Sequence, residues 1–271
     1  MPKISVGDLT IAYEIRGAGP PLLMLHGGEG DRNSDNHFTP RLDDAFTVIT
    51  FDQRDAGDSG GGDQQYDMFQ HAQDAADLLS ALGYERAFVY GQSYGGIIGQ
   101  ALAIAHPEKV QRLVLAVTTP GKRRRDDRSA EVNAMIDAFL ARSSPTPPSP
   151  DAFFAPGAFE RRPELRKFLE RERVAPPDLE RQRRRLVASE NFDSLDQLSS
   201  IRAPTLVLGA WGDQVCSAAS SWALAERIPD ARLIVLEAVG HALTWEAPER
   251  VAPLIRGFLA EGVVSPTAKA S

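Results

Sequence analysis

The chain has 271 residues, 42% of them hydrophobic and 25% charged, a balance that suits a folded globular protein and excludes an intrinsically disordered one. Thirty Lys and Arg against 37 Asp and Glu leave a formal net charge of -7, so the chain as a whole has no attraction for nucleic acid or for an anionic membrane surface. One α/β domain with an insertion, or two small domains, would bury about three quarters of the unfolded surface at this length.

No apolar run approaches the ~18–20 residues of a spanning helix, and the start "MPKISVGDLTIAYEIRG" lacks the apolar segment of a secretory signal. A cytoplasmic location is therefore expected. Cys216 is the only cysteine, which excludes an intrachain disulfide, and the histidines at 26, 37, 71, 106 and 241 lack the i, i+4 pairing of helical metal ligands. Neither a metal nor a cofactor is expected.

In chain order, "LTIAYEIR" (9–16) alternates apolar and polar residues and reads as a strand with one wet face. The runs at 21–27, 46–52, 86–91, 110–117, 204–210 and 231–238 are short and apolar on both faces, the pattern of strands covered on both sides in a parallel sheet. Helical periodicity lies between several of them, at 67–82, 94–105, 217–227 and 247–260. Alternating strand and helix predicts a doubly wound α/β sheet. Residues 119–200 break that rhythm. They hold helical pieces at 129–142, 163–174 and 178–189, with the stiff connector "SSPTPPSP" between the first two, and read as a helical insertion between two strands. The Arg clusters "KRRRDDR" and "ERQRRRL" read as solvated charged faces, with cationic steering of an anionic substrate as the alternative.

"VYGQSYGGIIGQ" (89–100) places Ser93 between a strand and a helix in the pattern G-x-S-x-G. A serine hydroxyl needs an exposed position and a nearby base to act as a nucleophile, and a sharp strand-to-helix turn supplies the exposure. Asp213 and His241 follow far downstream, each just past a strand, in the order serine, acid, histidine that such a turn requires. His241 is then the base and Asp213 its orienting acid. "LLMLHGGEG" puts His26-Gly27-Gly28 directly after a strand, so the backbone N–H groups of Gly28 and Tyr94 are the expected oxyanion donors, with His26 shaping the loop.

These motifs, the HGG loop at 26–28, "FDQRDAGDSG" at 51–60, the GQSYGG turn, "HPEKVQRLVL" at 106–115, Asp213 and "GHALTWEAPERV" at 240–251, together resemble the α/β-hydrolase fold superfamily over essentially the whole chain. The resemblance implies a mostly parallel eight-stranded sheet flanked by helices, formed by residues 1–118 and 201–271, and a helical cap at 119–200 roofing the site. It also gives Ser93, Asp213 and His241 the triad roles. "FDQR" and "HGG" are similar to motifs of proline iminopeptidases, but the loop reads HGGEG where that family usually has HGGPG. Glu29 is expected to face water, with contact to a substrate amine as the alternative. Asp55 stands where the family's D-x-R-G-x-G-x-S pattern has its first glycine and is expected at the surface. "TTPG" after the strand at 110–117 carries no carboxylate, which strengthens Asp213 as the acid.

A serine, rather than the aspartate of haloalkane dehalogenases and epoxide hydrolases, points to acyl transfer. The expected activity is hydrolysis of a small carboxylic ester or lactone through an acyl-enzyme, with a small molecule as the only expected partner. An aminopeptidase of proline iminopeptidase type, a carbon–carbon bond hydrolase and a non-catalytic small-molecule sensor are the alternatives. Gly27, Glu29, Gln92, Trp211, Phe139 and Phe154 are candidate pocket residues. Leu140, Phe153, Phe159, Phe168, Leu169 and Trp245 are further apolar candidates, more often packing residues than pocket walls.

Overall fold

The computed structural model describes residues 1–60, 64–121, 128–141, 150–168, 170 and 178–261. Residues 122–127 of "KRRRDDR", 143–149 of "SSPTPPSP", the Phe168 side chain, Leu169 and 171–174 of the second insertion piece lie outside the described residues.

A single sheet runs through the protein, built from β1 (Lys3–Val6), β2 (Leu9–Arg16), β3 (Pro21–Leu25), β4 (Thr47–Phe51), β5 (Ala87–Gln92), β6 (Val110–Ala116), β7 (Thr205–Ala210) and β8 (Ala231–Leu236). The order is β1-β2-β4-β3-β5-β6-β7-β8. The β1–β2 and β2–β4 pairs are antiparallel and the other pairs are parallel. Seven of these strands coincide with the runs read from sequence. β1 has only four residues and was not among those runs; the two-residue turn Gly7-Asp8 folds it back on β2.

The double-sided burial of the central strands follows from their period of two. Leu23 and Leu25 of β3, Val89 of β5 and Leu113 and Leu115 of β6 pack into one core layer with α1 (Met68–Ala81) and α2 (Tyr94–Ala105). Leu22 and Met24, Phe88 and Tyr90, and Val114 and Ala116 point the other way. Between β6 and β7 the described residues form helices and turns, with α3 (Ala130–Leu140), α4 (Ala158–Arg161) and α5 (Leu179–Glu190). After β7 come α6 (Ala218–Arg227), α7 (Leu243–Glu246) and α8 (Pro248–Ala260). α6 joins the first core layer through Leu224, and α8 covers the opposite face through Val251, Ile255 and Leu259.

The loops after β3, β4, β5, β6, β7 and β8 therefore gather at one edge of the sheet, where the carboxyl ends of parallel strands leave a crevice. His26, Asp52, Ser93, Thr118, Asp213 and His241 all lie on these loops.

Ile98 is fully buried on the α2 face that packs on the sheet. Ile98→Ala should lower the unfolding free energy by about 2–5 kcal/mol, read from a urea midpoint with an unchanged slope; a loss below about 0.5 kcal/mol would mean that α2 is not anchored there.

Candidate active site

Ser93 adopts φ 55° and ψ −118° between β5 and α2. Its side chain is lifted out of the strand's alternation, while its N–H bonds to Ala116 O at 2.9 Å and its carbonyl accepts from Thr118 Oγ1 at 2.7 Å. The flanking glycines make this turn possible. A Cβ on Gly95 would overlap the Leu25 carbonyl, and one on Gly91 would overlap the Gly95 carbonyl, so only glycine lets α2 start this close to β3 and β5. Among the described residues, the non-glycine residues with positive φ are Asp55, Ser93, Val117 and Ala238. All four follow strand carboxyl ends, the kind of clustering that marks functional sites.

The three residues expected to act together do converge. His241 Nε2 is 2.8 Å from Ser93 Oγ, and His241 Nδ1 is 2.8 Å from Asp213 Oδ2. The second Asp213 oxygen accepts the N–H groups of Val215 and Cys216, both at 2.8 Å. These bonds fix the buried carboxylate and leave one oxygen for the ring. His241 sits on a loop held from behind by Glu246, whose carboxylate accepts Gly240 N–H at 2.7 Å and Ala155 N–H at 3.2 Å. Burial pushes the Glu246 carboxyl up, and those two backbone donors oppose the push. Ala242 N–H donates to Phe153 O at 2.6 Å, and the Phe153 ring stacks on His241 with centroids 5.6 Å apart. The insertion and the histidine loop are thus one packed unit. Glu246 was not singled out from sequence; it is the first of the two acids in the quoted "TWEAPERV", legible as a motif but not as a role.

The loop after β3 lies against the serine turn. A Cβ on Gly27 would meet Ser93 Cβ at 3.9 Å, and one on Gly28 would meet Tyr94 Cβ at 3.6 Å. The Tyr94 N–H is in the first helical turn, where amides have no intrahelical acceptor. His26 Nδ1 bonds to Gly27 O at 2.8 Å, and Gln53 Nε2 donates to His26 O at 3.1 Å. Burial, with the nearby Arg185 charge, pulls the His26 ring down to about 3. It stays neutral and serves as a loop brace.

In the second Arg cluster, "ERQRRRL", Arg184 and Arg185 depart from the reading as a solvated face. Arg185 of α5 is 2% exposed. It donates to Gly28 O at 3.2 Å, Arg54 O at 2.9 Å and Gln53 Oε1 at 2.8 Å, and its guanidinium lies 4.4 Å from the Tyr94 ring centroid. Tyr94 in turn shares a 2.7 Å hydrogen bond with His71 Nε2. Asp55 is likewise not at the surface. It is 4% exposed, holds φ 62°, and forms a two-bond pair with Arg184 at 2.7 and 3.0 Å, with Tyr66 OH adding a third bond at 3.0 Å. The departure from the family glycine is matched by an arginine from the insertion, because both groups are desolvated and each needs the other.

Two chambers meet at Ser93, with Gly28, Glu29 and Phe153 in the walls of both. One, of about 130 Å³, is lined by Tyr94, Ile97, Ile136, Phe139, Leu186 and Val215, with Arg128 and Arg185 at its margin. The other, of about 90 Å³, is lined by Gly27, Ser34, Asp35, Gln92, His241 and Trp245. Gly27 and Gln92 line the smaller chamber and Phe139 the larger. Glu29 is half-buried between the chambers and does not simply face water. Trp211 is 55% exposed against Trp222 and lines neither chamber, because its loop turns it away from the crevice. Phe154 lines neither chamber either; it packs with Phe159, Leu165 and Ala242 in a separate small core. Asp35 escaped the sequence reading altogether. Burial raises its carboxyl to about 6.

The fold and this serine-bearing turn define a hydrolase of α/β type. Residues 20–248 match the family described as alpha/beta hydrolase fold, and the chain belongs to that family. It is 31% identical over 265 residues to the provisionally named carbamate hydrolase RutD of Azorhizobium caulinodans, covering 96% of this chain and 99% of the relative. It is 30% identical over 266 residues to a poly(3-hydroxyalkanoate) depolymerase of Ectopseudomonas oleovorans, covering 94% and 91%. Among solved structures, a thermophilic esterase from Thermogutta terrifontis with malate bound is similar, at TM-score 0.81 and 27% identity over 95% of this chain and 97% of that one.

Two stability measurements probe these contacts. Arg184→Met leaves the buried Asp55 carboxylate only the Tyr66 OH and the more distant Arg181, 3.9 Å away, and should cost about 3 kcal/mol, and adding Asp55→Gly, which suits φ 62°, should restore most of that; a double variant no better than the single one would contradict the pairing. For Asp35 the folded value of about 6 lies above the ordinary carboxylate value of ~3.9. The ionised form therefore opposes folding, and the penalty sets in as pH rises from about 4 and is complete above about 6. Asp35→Asn should stabilise the protein by up to about 3 kcal/mol more at pH ~8 than at pH ~4; equal effects at both pH values in urea unfolding would contradict the burial cost.

Proposed function

We propose that this hydrolase cleaves a small carboxylic ester or lactone through an acyl-enzyme on Ser93. The observation that carries the reading is the continuous path from Ser93 Oγ to His241 Nε2 and from His241 Nδ1 to Asp213, 2.8 Å at each step. His241 takes the serine proton as Oγ attacks the carbonyl carbon, and Asp213 stabilises the imidazolium that forms. The negative oxygen is received by the N–H groups of Gly28 and Tyr94, at the start of a helix whose dipole favours an anion. Collapse of the tetrahedral intermediate breaks the bond to the leaving oxygen, which takes its proton from His241. Water then gives a proton to the same imidazole as it attacks the acyl carbon, and collapse of this second intermediate breaks the acyl–Oγ bond, releasing the acid while His241 returns the proton to Ser93 Oγ.

The two chambers divide the substrate. His241 borders the smaller chamber and not the larger one, so the leaving group, which must meet Nε2, belongs in the smaller. The acyl group then occupies the apolar chamber of about 130 Å³, close to the ~150 Å³ cavity that holds a benzene. A short or singly branched acyl chain fits. An aminoacyl group would carry its ammonium into the chamber lined by Arg185, Glu29 and an Arg128 already paired with Glu190 at 2.7 Å, so the buried Arg185 charge is what favours the ester reading over the aminopeptidase one.

Ser93→Ala should lower kcat on a short-chain ester by about 10³-fold or more while the protein remains folded. Residual turnover within about tenfold of the parent protein would point to another nucleophile.

A further inference from the structure

Outside the acid–histidine–serine path, the Asp35 carboxylate lies in the site without a partner among the described residues. Asp35 is 7% exposed, lines the smaller chamber together with Ser93 and His241, and its carboxylate takes no hydrogen bond and no ion pair from the described residues. Burial is the only cause that displaces its titration. An unpaired buried carboxylate costs stability, and this one is set where a bound molecule would have to lie. Its surroundings carry a consistent sign. Glu29 borders both chambers and has an interaction of its own; in the smaller chamber His241 is the only basic residue, and no Lys or Arg of the described residues lines it. The larger chamber has Arg128 and Arg185. Phe153 and Trp245, each stacked on a histidine, also line the smaller chamber.

We infer that the smaller chamber binds a leaving group bearing a protonated amine, with the Asp35 carboxylate as the counter-ion that selects it. The assignment rests on the proposed ester chemistry for the word "leaving", but the cation site stands on the Asp35 geometry alone. Asp35 is a specificity residue here. It reads the alcohol half of the substrate, while Phe139 and Ile136 shape the acyl half.

The test uses the full chain and two matched esters, dimethylaminopropyl acetate, cationic at neutral pH, and its uncharged isostere isohexyl acetate. The parent protein should prefer the cationic ester in kcat/KM by about tenfold or more, as expected when a charge pair forms in a desolvated site. Asp35→Asn should erase that ratio and Asp35→Glu should keep part of it, with urea midpoints showing that each variant is folded. In parallel, the two alcohols, dimethylaminopropanol and isohexanol, are titrated calorimetrically into the parent and Asp35→Asn proteins, a readout independent of turnover. The amino alcohol should bind more tightly than isohexanol to the parent protein and lose that advantage in the variant. Equal ratios in parent and Asp35→Asn, or equal binding of the two alcohols, would overturn the inference. Failure of Ser93-dependent hydrolysis with the binding preference intact would overturn only the ester reading.

Discussion

The close approach of helix α2 to the ends of strands β3 and β5 is the constraint on which the site depends. Gly91 and Gly95 remove the side chains that would otherwise meet the Leu25 and Gly95 carbonyls, and the turn between them forces Ser93 to φ 55°. One local geometry thereby raises the hydroxyl above the sheet edge, points the first amides of α2 toward the same space and sets the distance to the loop after β3. The strain at a non-glycine residue is of order 1–3 kcal/mol. It is held by the Ser93 N–H bond to Ala116 O and by Thr118 on the Ser93 carbonyl.

The insertion between β6 and β7 does more than shelter this edge. Through Arg185 it grips the Gly28 carbonyl and the Gln53-Arg54 segment, and through Arg184 it neutralises Asp55. On the opposite side, Glu246 joins Gly240 to Ala155. The Gly28 loop, proposed to receive the oxyanion, and the loop that carries the histidine are therefore both fastened to the same insertion. A displacement of α5 would be felt at Gly28 directly. This coupling follows from buried charged groups whose desolvation is offset only when both partners are in place. It also explains why Arg185 is buried and Arg184 partly so in a helix that is otherwise charged and half-exposed.

The fold was legible because the central strands are buried on both faces and so read as uninterrupted apolar runs. The first strand was not, since Ile4 and Val6 in a four-residue edge segment leave too short a pattern to separate from a loop. Ser93, Asp213 and His241 were legible because glycine spacing and chain order constrain them without reference to neighbours. Asp35, Glu246, Arg184 and Arg185 have no such local signature. A charged residue in a loop or helix reads as solvated unless its burial and its partner are known, and both are tertiary facts. Phe154 and Trp211 erred in the other direction: helical or loop position near the site did not tell which way the ring turns, and one ring entered a separate core while the other faces solvent.

The central claim is that Ser93 is a nucleophile activated by His241. It is tested most directly by exposing the protein to a fluorophosphonate, which reacts covalently with an activated serine hydroxyl, and mapping the adduct by mass spectrometry. The account predicts one phosphonyl group per chain, on the peptide containing Ser93, and slow or absent labelling when His241 is replaced by Gln. No adduct, or an adduct on a residue other than Ser93, would contradict it.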